Sequence, residues 1–357
     1  MKNKSLILII VLMSMLLILF AGCSKKEAAP AASTAEKTYT MRIAYSYADT
    51  TQHGRNINYF KQLVEKETNG RVKIQLFPAS QLGTIDKEPG MVQSGAVEAA
   101  YTINATVEMV EPLEAGYSIP FLFKINPGEA DQFNTATKWD SFSENMMRDK
   151  LKSKGIYRLG NLTTQAGQCI AANNKREVIK PEDIKGMKIR QSGGIFGTFY
   201  YGLVGATAIT LSGAEVPVAL TQNVIDGISA SAMWVHDSRW ITKYMTGNYR
   251  VATTIPLIVN LKWWESLPKD LQDIIQTKVF PAAQEYANSE VAKLEKAAME
   301  AIQKEPYNVK VVMLNDEQVA VWANYKNARA EGIKKFVEMT GADGQKLVDE
   351  WNKIAGK

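Results

Sequence analysis

"KGMKIRQSGG", Lys185 to Gly194, decides how the chain is read. Met187 and Ile189 alternate with Lys188 and Arg190, the pattern of a short half-buried strand. A polar turn with two glycines follows, and "IFGTFYYGLVG" beyond it reads as a helix. An arginine thus ends a strand of an α/β sheet, where ligands bind in the crevice beyond the strand ends. Ser192, Gly193 and Gly194 lead into a helix whose free N–H groups favour an anion. The planar fork of Arg190 matches a carboxylate bidentately, which a lysine cannot do. Arginines are mostly solvated surface groups, and these three features set Arg190 apart as a candidate ligand clamp.

Outward from this junction the same alternation recurs. "MRIAYS" reads as a strand, and "TQHGRNINYFKQLVEKETNG" as a helix with Ile57, Phe60, Leu63 and Val64 on one face. "RVKIQLF" and "VEAAYT" are further strands, with a short helix in "DKEPGMVQSGA" between them. Asp131 to Lys152 is a helix, and "GIYRLGNL" is a buried strand leading towards "QCIAAN". After the Arg190 junction come a strand in "ATAITL", a short helix in "EVPVALTQN", a crossing in "VIDGISA" and a strand in "PLIVNLKWW". The order predicts an α/β protein with largely parallel sheets. Pro268 to Lys304 is one helix-forming run with a break candidate at Pro281, far longer than the usual ~12 residues. That length suits a brace lying across two lobes. "VKVVML" is a last strand, and Asp316 to Glu338 and Asp343 to Ile354 are amphipathic helices.

The first residues bear on compartment. Lys2 and Lys4 precede the apolar run "LILIIVLMSMLLILF", Leu6 to Phe20, and small residues follow. This describes a signal peptide over 1–22, since the run is shorter than the ~20 residues of a membrane span. "LFAGC" resembles the lipobox of bacterial lipoproteins, which makes Cys23 the expected lipidation site; Phe20 departs mildly from that pattern. Residues 23–38 are rich in Ala, Ser, Lys and Glu and read as a flexible tether. The expected location is outside the cytoplasm, anchored to the membrane by lipid.

Composition excludes several function classes. The net charge is +5, of which Lys2 and Lys4 supply 2, leaving +3 on the remainder. These charges are interspersed without a basic block, so no nucleic-acid partner is expected. Apart from Cys23 the single cysteine is Cys169, so no internal disulfide is possible. The two histidines, His53 and His236, lack companions at metal spacing, and no metal or cofactor is expected. There is no G-x-S-x-G elbow, and "SGGIFG" is neither a dinucleotide fingerprint nor a phosphate loop. No catalytic residue is assigned, although a secreted α/β enzyme stays an alternative, as does a sensing or adhesion lipoprotein.

"IKGMKIRQS", "ITLSGAEVPVALTQNVIDG", "LGTIDKEPGMVQSGAVEAAYT" and "IPFLF" together resemble the extracytoplasmic solute-binding proteins of TRAP transporters, the DctP-type family. "LKWWESLPKDLQDII" resembles the segment that starts their long helix. The resemblance runs from Tyr39 to about Ile354. It implies a periplasmic-binding-protein-like fold of two lobes, braced by the long helix and closing over a small organic acid. The acid would then pass to a TRAP-type membrane permease, with no reaction performed. Lobe 1 is expected over 39–160 with a return near 253–300, and lobe 2 over 161–252 with about 301–357.

In that family an arginine at the end of G-x-K-x-R clamps the ligand carboxylate, and Arg190 falls on that position. Two departures concern the ligand. Where many members carry a second arginine this chain has Cys169, with Gln168 beside it. Where many carry an asparagine after "VDG" it has Ala230, with Trp234 just beyond. The resemblance therefore implies one strong anion clamp with more apolar walls, suited to a monocarboxylate with some hydrophobic surface. Further ligand candidates are Trp234, otherwise core packing; Glu215, otherwise a helix cap; Asn104, otherwise a turn residue; and Tyr47, in the first strand-to-helix loop. His236 reads as a surface group and Cys169 as a packing residue.

Overall fold

A computed structural model describes residues 37–123 and 134–354. The expected signal peptide, the tether and Cys23 lie outside the described residues, as do Asp131 to Phe133 at the start of one expected helix.

The first half of the sheet forms as the periodicity requires. β1 (Tyr39–Ala44) pairs in parallel with β2 (Val72–Phe77) and β3 (Ala99–Tyr101). Between β1 and β2 lies α1 (Gln52–Glu67), started by Thr51, whose side chain accepts from the Gly54 N–H at 3.2 Å. It buries Ile57, Phe60 and Val64 against Met41, Ile43 and Ile74 of the strands. Each such side chain contributes roughly 1.5–3 kcal/mol by leaving water. α2 (Glu88–Ser94) and the single turn α3 (Asn104–Val107) flank β3, and α4 (Asn134–Lys152) leads to the centre of the sheet.

There the chain departs from a parallel α/β plan. β4 (Ile156–Asn173) is one strand of 18 residues, joining the two pieces expected around "GIYRLGNL" and "QCIAAN". It pairs antiparallel along its length with β8 (Tyr244–Asn260), and β3–β8 and β4–β7, with β7 at Gly227–Ile228, are antiparallel too. The sheet is mixed, with order β2-β1-β3-β8-β4-β7-β5-β6, where β5 is Lys188–Gln191 and β6 Thr207–Thr210, and with β9, Lys310–Val312, against β8. β4 and β8 run through both halves, and their register shifts repeatedly, including between Gln165 and Gln168. Such bulges bend a ladder and loosen it locally.

The second half repeats the βα pattern. β5 (Lys188–Gln191), α5 (Ile195–Leu203) and β6 (Thr207–Thr210) follow β4. α6 (Val216–Thr221), the two-residue β7 (Gly227–Ile228) and α7 (Ala232–Asp237) precede β8. β5 lies parallel to both β6 and β7. "LKWW" is not strand: Asn260 ends β8, and its side chain accepts from Trp263 N at 3.0 Å to start α8 (Leu261–Ser266).

The long helix comprises α9 (Lys269–Asp273), a π-helical turn over Ile274–Val279 and α10 (Phe280–Ala301). Pro281 does not break it. A proline lacks the N–H and crowds the preceding turn, and the widened π turn just before Pro281 takes up that mismatch. Side chains of this helix pin the irregular stretch of β4: Gln284 donates to Asn161 O at 2.6 Å, and Asn288 accepts from Thr164 N at 2.8 Å. After β9 (Lys310–Val312), α11 (Asp316–Asn324) ends near Lys326, whose φ is 48°. α12 (Ala328–Ile354) kinks at Gly341, φ 64°, between the two expected helices. Its later part packs Trp351 on Phe123 and Trp139, and Asp343 pairs with Lys150 at 2.5 Å. The C-terminal segment, expected with lobe 2, thus also touches residues expected in lobe 1.

Candidate functional site

Arg190 occupies the third position of β5, and its side chain is turned inward, 6 % exposed. Its Nε donates to Leu211 O at 2.9 Å, and its guanidinium carbon lies 5.4 Å from the centre of the Trp240 ring. Among the described residues no carboxylate stands within ion-pairing distance of it. Burial pushes the guanidinium down to about 10, opposed by the charge of Glu215, so it stays cationic at neutral pH. A buried charge without a counter-ion costs several kcal/mol, and an anion arriving from solution removes that cost.

Trp240 begins a line of rings that crosses between the halves of the sheet. Trp240 stacks on Trp234 with centroids 6.3 Å apart and planes 19° from parallel. Trp234 in turn stacks on Tyr47 at 5.7 Å and on His53 at 5.6 Å, both from the β1–α1 region. Trp234 is held in α7, whose first N–H groups at Ala232 and Met233 donate to both oxygens of Glu295, at 2.8 and 3.0 Å. Glu295 belongs to the long helix and is 1 % exposed. The brace therefore fixes the helix that carries the ring.

His53 is fully buried, with its Nδ1 3.2 Å from the Tyr101 hydroxyl and its Nε2 2.5 Å from the Gln165 amide. Burial, with the nearby Arg55 charge, pushes it down to about 3, so it is a neutral ring at the site. Among the described residues no cluster of three or more His, Cys, Asp or Glu suits a metal ion.

A second group of expected residues lines a polar cleft beside the first. Asn104 and Gln168 face it with Ser118, Gln191, Gly193 and Gly194. Asn104 donates to Ser118 Oγ at 3.1 Å and accepts from Thr254 N at 3.2 Å. Gln168 donates to Ser192 Oγ at 3.2 Å and accepts from Ser229 Oγ at 3.1 Å. Gln191 enters the cleft wall because residue 197 is glycine. A Cβ there would sit 1.3 Å from Gln191 Oε1, which bonding of its amide to Thr198 holds in place.

The N-terminus of α5 is already occupied. Glu108, buried and just past α3, accepts from Ile195 N at 2.5 Å. The turn expected to offer its N–H groups to a ligand anion instead meets a carboxylate of the protein itself. Burial pushes that carboxyl up to about 7, with the Ile195 N–H opposing.

Glu215 lies close enough for its charge to act on Arg190 but makes no ion pair with it. It is exposed and accepts from the backbone N–H and the hydroxyl of Ser212, capping its own turn at 2.9 and 2.6 Å. Its carboxyl is lowered first by that hydroxyl. His236 is partly exposed beside Asp237, and Cys169 is fully buried. His53, Trp240 and Glu108 were missed. Each acts through a neighbour distant in sequence, so no local pattern marks it.

The mixed sheet, the strand-crossing pair β4–β8 and a buried arginine, without a carboxylate partner among the described residues and facing an aromatic seam, fit a two-lobed binding protein. The family model described as "Bacterial extracellular solute-binding protein, family 7" matches residues 43–335, and the chain belongs to that family. The C4-dicarboxylate-binding periplasmic protein DctP of Rhodobacter capsulatus is 25 % identical over 286 residues, 79 % of this chain and 82 % of that one. The ectoine/5-hydroxyectoine-binding protein UehA of Ruegeria pomeroyi is 25 % identical over 340 residues, 93 % and 95 % of the two chains. Among solved structures, a TRAP periplasmic solute-binding protein from Desulfovibrio salexigens with bound orotic acid superposes with a TM-score of 0.78. It is 23 % identical, and the match covers 88 % of this chain and 98 % of that one. No helix among the described residues is long and apolar enough to cross a membrane.

Proposed function

We propose that the protein captures a small monocarboxylate with a flat or apolar body between its lobes and delivers it to a TRAP-type permease. The observation that carries this reading is Arg190: buried, cationic and without a carboxylate partner among the described residues. The ligand's carboxylate supplies the missing counter-ion, and a charge-assisted hydrogen bond there contributes roughly 1.5–3 kcal/mol. Trp234, Tyr47 and Trp240 supply flat apolar surface for the rest of the molecule. Gln168 and Asn104 supply amides at the neighbouring cleft. The relatives that bind C4-dicarboxylates or ectoine support a small charged solute as the class.

The role is binding without turnover. Lobe 1 comprises about 39–160 with 253–300, and lobe 2 about 161–252, with the C-terminal segment lying against both. The bulged middle of β4 and β8 is the hinge, and ligand selects the closed arrangement. The mature chain begins at a lipidated Cys23, and residues 24–38 let the folded body reach the permease from the membrane surface.

Native mass spectrometry of the purified protein, followed by a thermal-shift screen of monocarboxylates, tests the reading. A retained acid, or a stabilising monocarboxylate whose effect disappears in Arg190→Ala, is the expected result. Stabilisation only by uncharged solutes, unaffected by that substitution, overturns it.

A further inference from the structure

The α5 N-terminus brings a question of charge count. A strand end with an arginine, followed by an open helix N-terminus, offers two places for anionic groups, as a dicarboxylate needs. Here the second place is filled from the opposite half of the sheet. Glu108 Oε1 lies 2.5 Å from Ile195 N, and Oε2 is buried without a hydrogen-bond partner among the described residues. The approach is close: a Cβ on Gly194, whose φ is 94°, would lie 3.2 Å from both Glu108 Oε1 and the Ala105 side chain. Ala105 and Gly194 also line the polar cleft, so Glu108, packed against Gly194, stands directly behind its wall.

We propose that Glu108 is a specificity-determining residue, a built-in anion that takes the first N–H of α5 and restricts the ligand to a single carboxylate. The inference rests on the carboxylate reading of Arg190 and deepens it. A second ligand carboxylate in this cleft loses the first helix N–H, because Ile195 N is already bonded. It also meets a like charge in a poorly solvated place, where repulsion is stronger than in water. A monocarboxylate that spends its one charge on Arg190 meets neither penalty. The device works only with the halves together, since Glu108 and Ile195 come from opposite sides of the crossing strands.

Butyrate and succinate, equal in length and different by one carboxylate, are the probes. Their affinities are measured by calorimetry for the wild type, Glu108→Gln and Glu108→Ala, at about pH 8, where the wild-type carboxyl is ionised. The glutamine keeps an acceptor for Ile195 N and removes only the charge; the alanine also vacates the place. The wild type is expected to favour butyrate by at least ~10-fold, and both variants to shrink that ratio by at least ~5-fold. Thermal melts establish that each variant is folded, and a result from either one suffices. An unchanged ratio in a folded variant overturns the proposal while leaving Arg190 as the clamp, provided Arg190→Ala still loses butyrate. A wild type that favours succinate overturns the proposal and the monocarboxylate reading but not the clamp; one that binds neither acid up to about 0.1 M overturns the proposal and the clamp together.

Discussion

The indole of Trp234 lies on the ring of Tyr47, with centroids 5.7 Å apart and planes inclined by 27°. One ring comes from α7 and the other from the loop after β1, so this stack is made across the two halves of the sheet. Its partners extend it: Trp240 towards Arg190 on one side, His53 towards Tyr101 and Gln165 on the other. In the proposed reading, closure and ligand recognition use the same aromatic surface.

Removing one ring tests that sharing. Trp234→Ala is expected to weaken ligand binding by roughly 10-fold, since an aromatic pair contributes about 0.5–1.5 kcal/mol beyond the buried area. Tyr47→Ala should have a similar effect, and the double variant should cost less than the sum because both remove one contact. Calorimetry on the four proteins of the cycle checks this. Strict additivity would mean that the two rings act separately.

Glu215 gives the opposite expectation. Its carboxylate is engaged with Ser212 at the surface, and only its charge reaches Arg190. Glu215→Gln should leave ligand affinity within a factor of about two, with a small fall in melting temperature. A large loss of affinity at unchanged fold would place Glu215 in the cleft after all.

Gly197→Ala tests the cleft wall. The added methyl overlaps the Gln191 side chain, so Gln191 must leave its bond to Thr198 or α5 must shift. Overpacking of this kind costs about 1–3 kcal/mol. A lowered melting temperature and weaker ligand binding are expected together; a variant with unchanged stability would show that the wall yields freely.

Stability should fall as pH rises through neutrality. Glu88, buried at the start of α2 with Ser46 Oγ donating to it at 2.8 Å, has its carboxyl pushed by burial from 4.5 up to about 8. Its folded form therefore holds a proton that the unfolded chain has released. The stability this contributes is present below 4.5 and is lost as pH rises through about 8. His53 has the opposite sign, pushed from 6.5 down to about 3, but it weighs only below 6.5. Between those limits each pH unit changes the Glu88 contribution by about 1.4 kcal/mol. Melting temperature should drop from mildly acidic to mildly alkaline buffer, and Glu88→Gln should flatten that slope. An unchanged slope in the variant would assign the effect to Glu108 and Asp140, both pushed up to about 7 by burial.

Local patterns were enough to locate most helices and strands, because α1, α5, β2 and β5 carry their own periodicity. What joins them was not legible. Thr163, Thr164 and Gln165 interrupt the apolar run of β4, so one strand read as two pieces. The β4–β8 pairing is antiparallel between segments some eighty residues apart, which leaves no trace in either segment alone. "NLKWW" looked like a strand end because nothing apolar distinguishes it; the Asn260 cap turns it into a helix. The site divided in the same way. Arg190 could be singled out from its strand–turn–helix setting and Tyr47 from the first strand-to-helix loop, whereas Trp234 came from the family resemblance, just beyond Ala230. Glu108 was invisible because its partner Ile195 lies 87 residues on. His53 was set aside for want of metal ligands, whereas its role is that of a neutral ring.

The guanidinium of Arg190 carries the functional reading, and calorimetry with the retained acid tests it most directly. Arg190→Ala should weaken binding by at least ~10-fold, about 1.4 kcal/mol. Arg190→Lys should recover little of that, because the planar fork is lost. Affinity close to wild type in either folded variant would contradict a carboxylate held at this strand end.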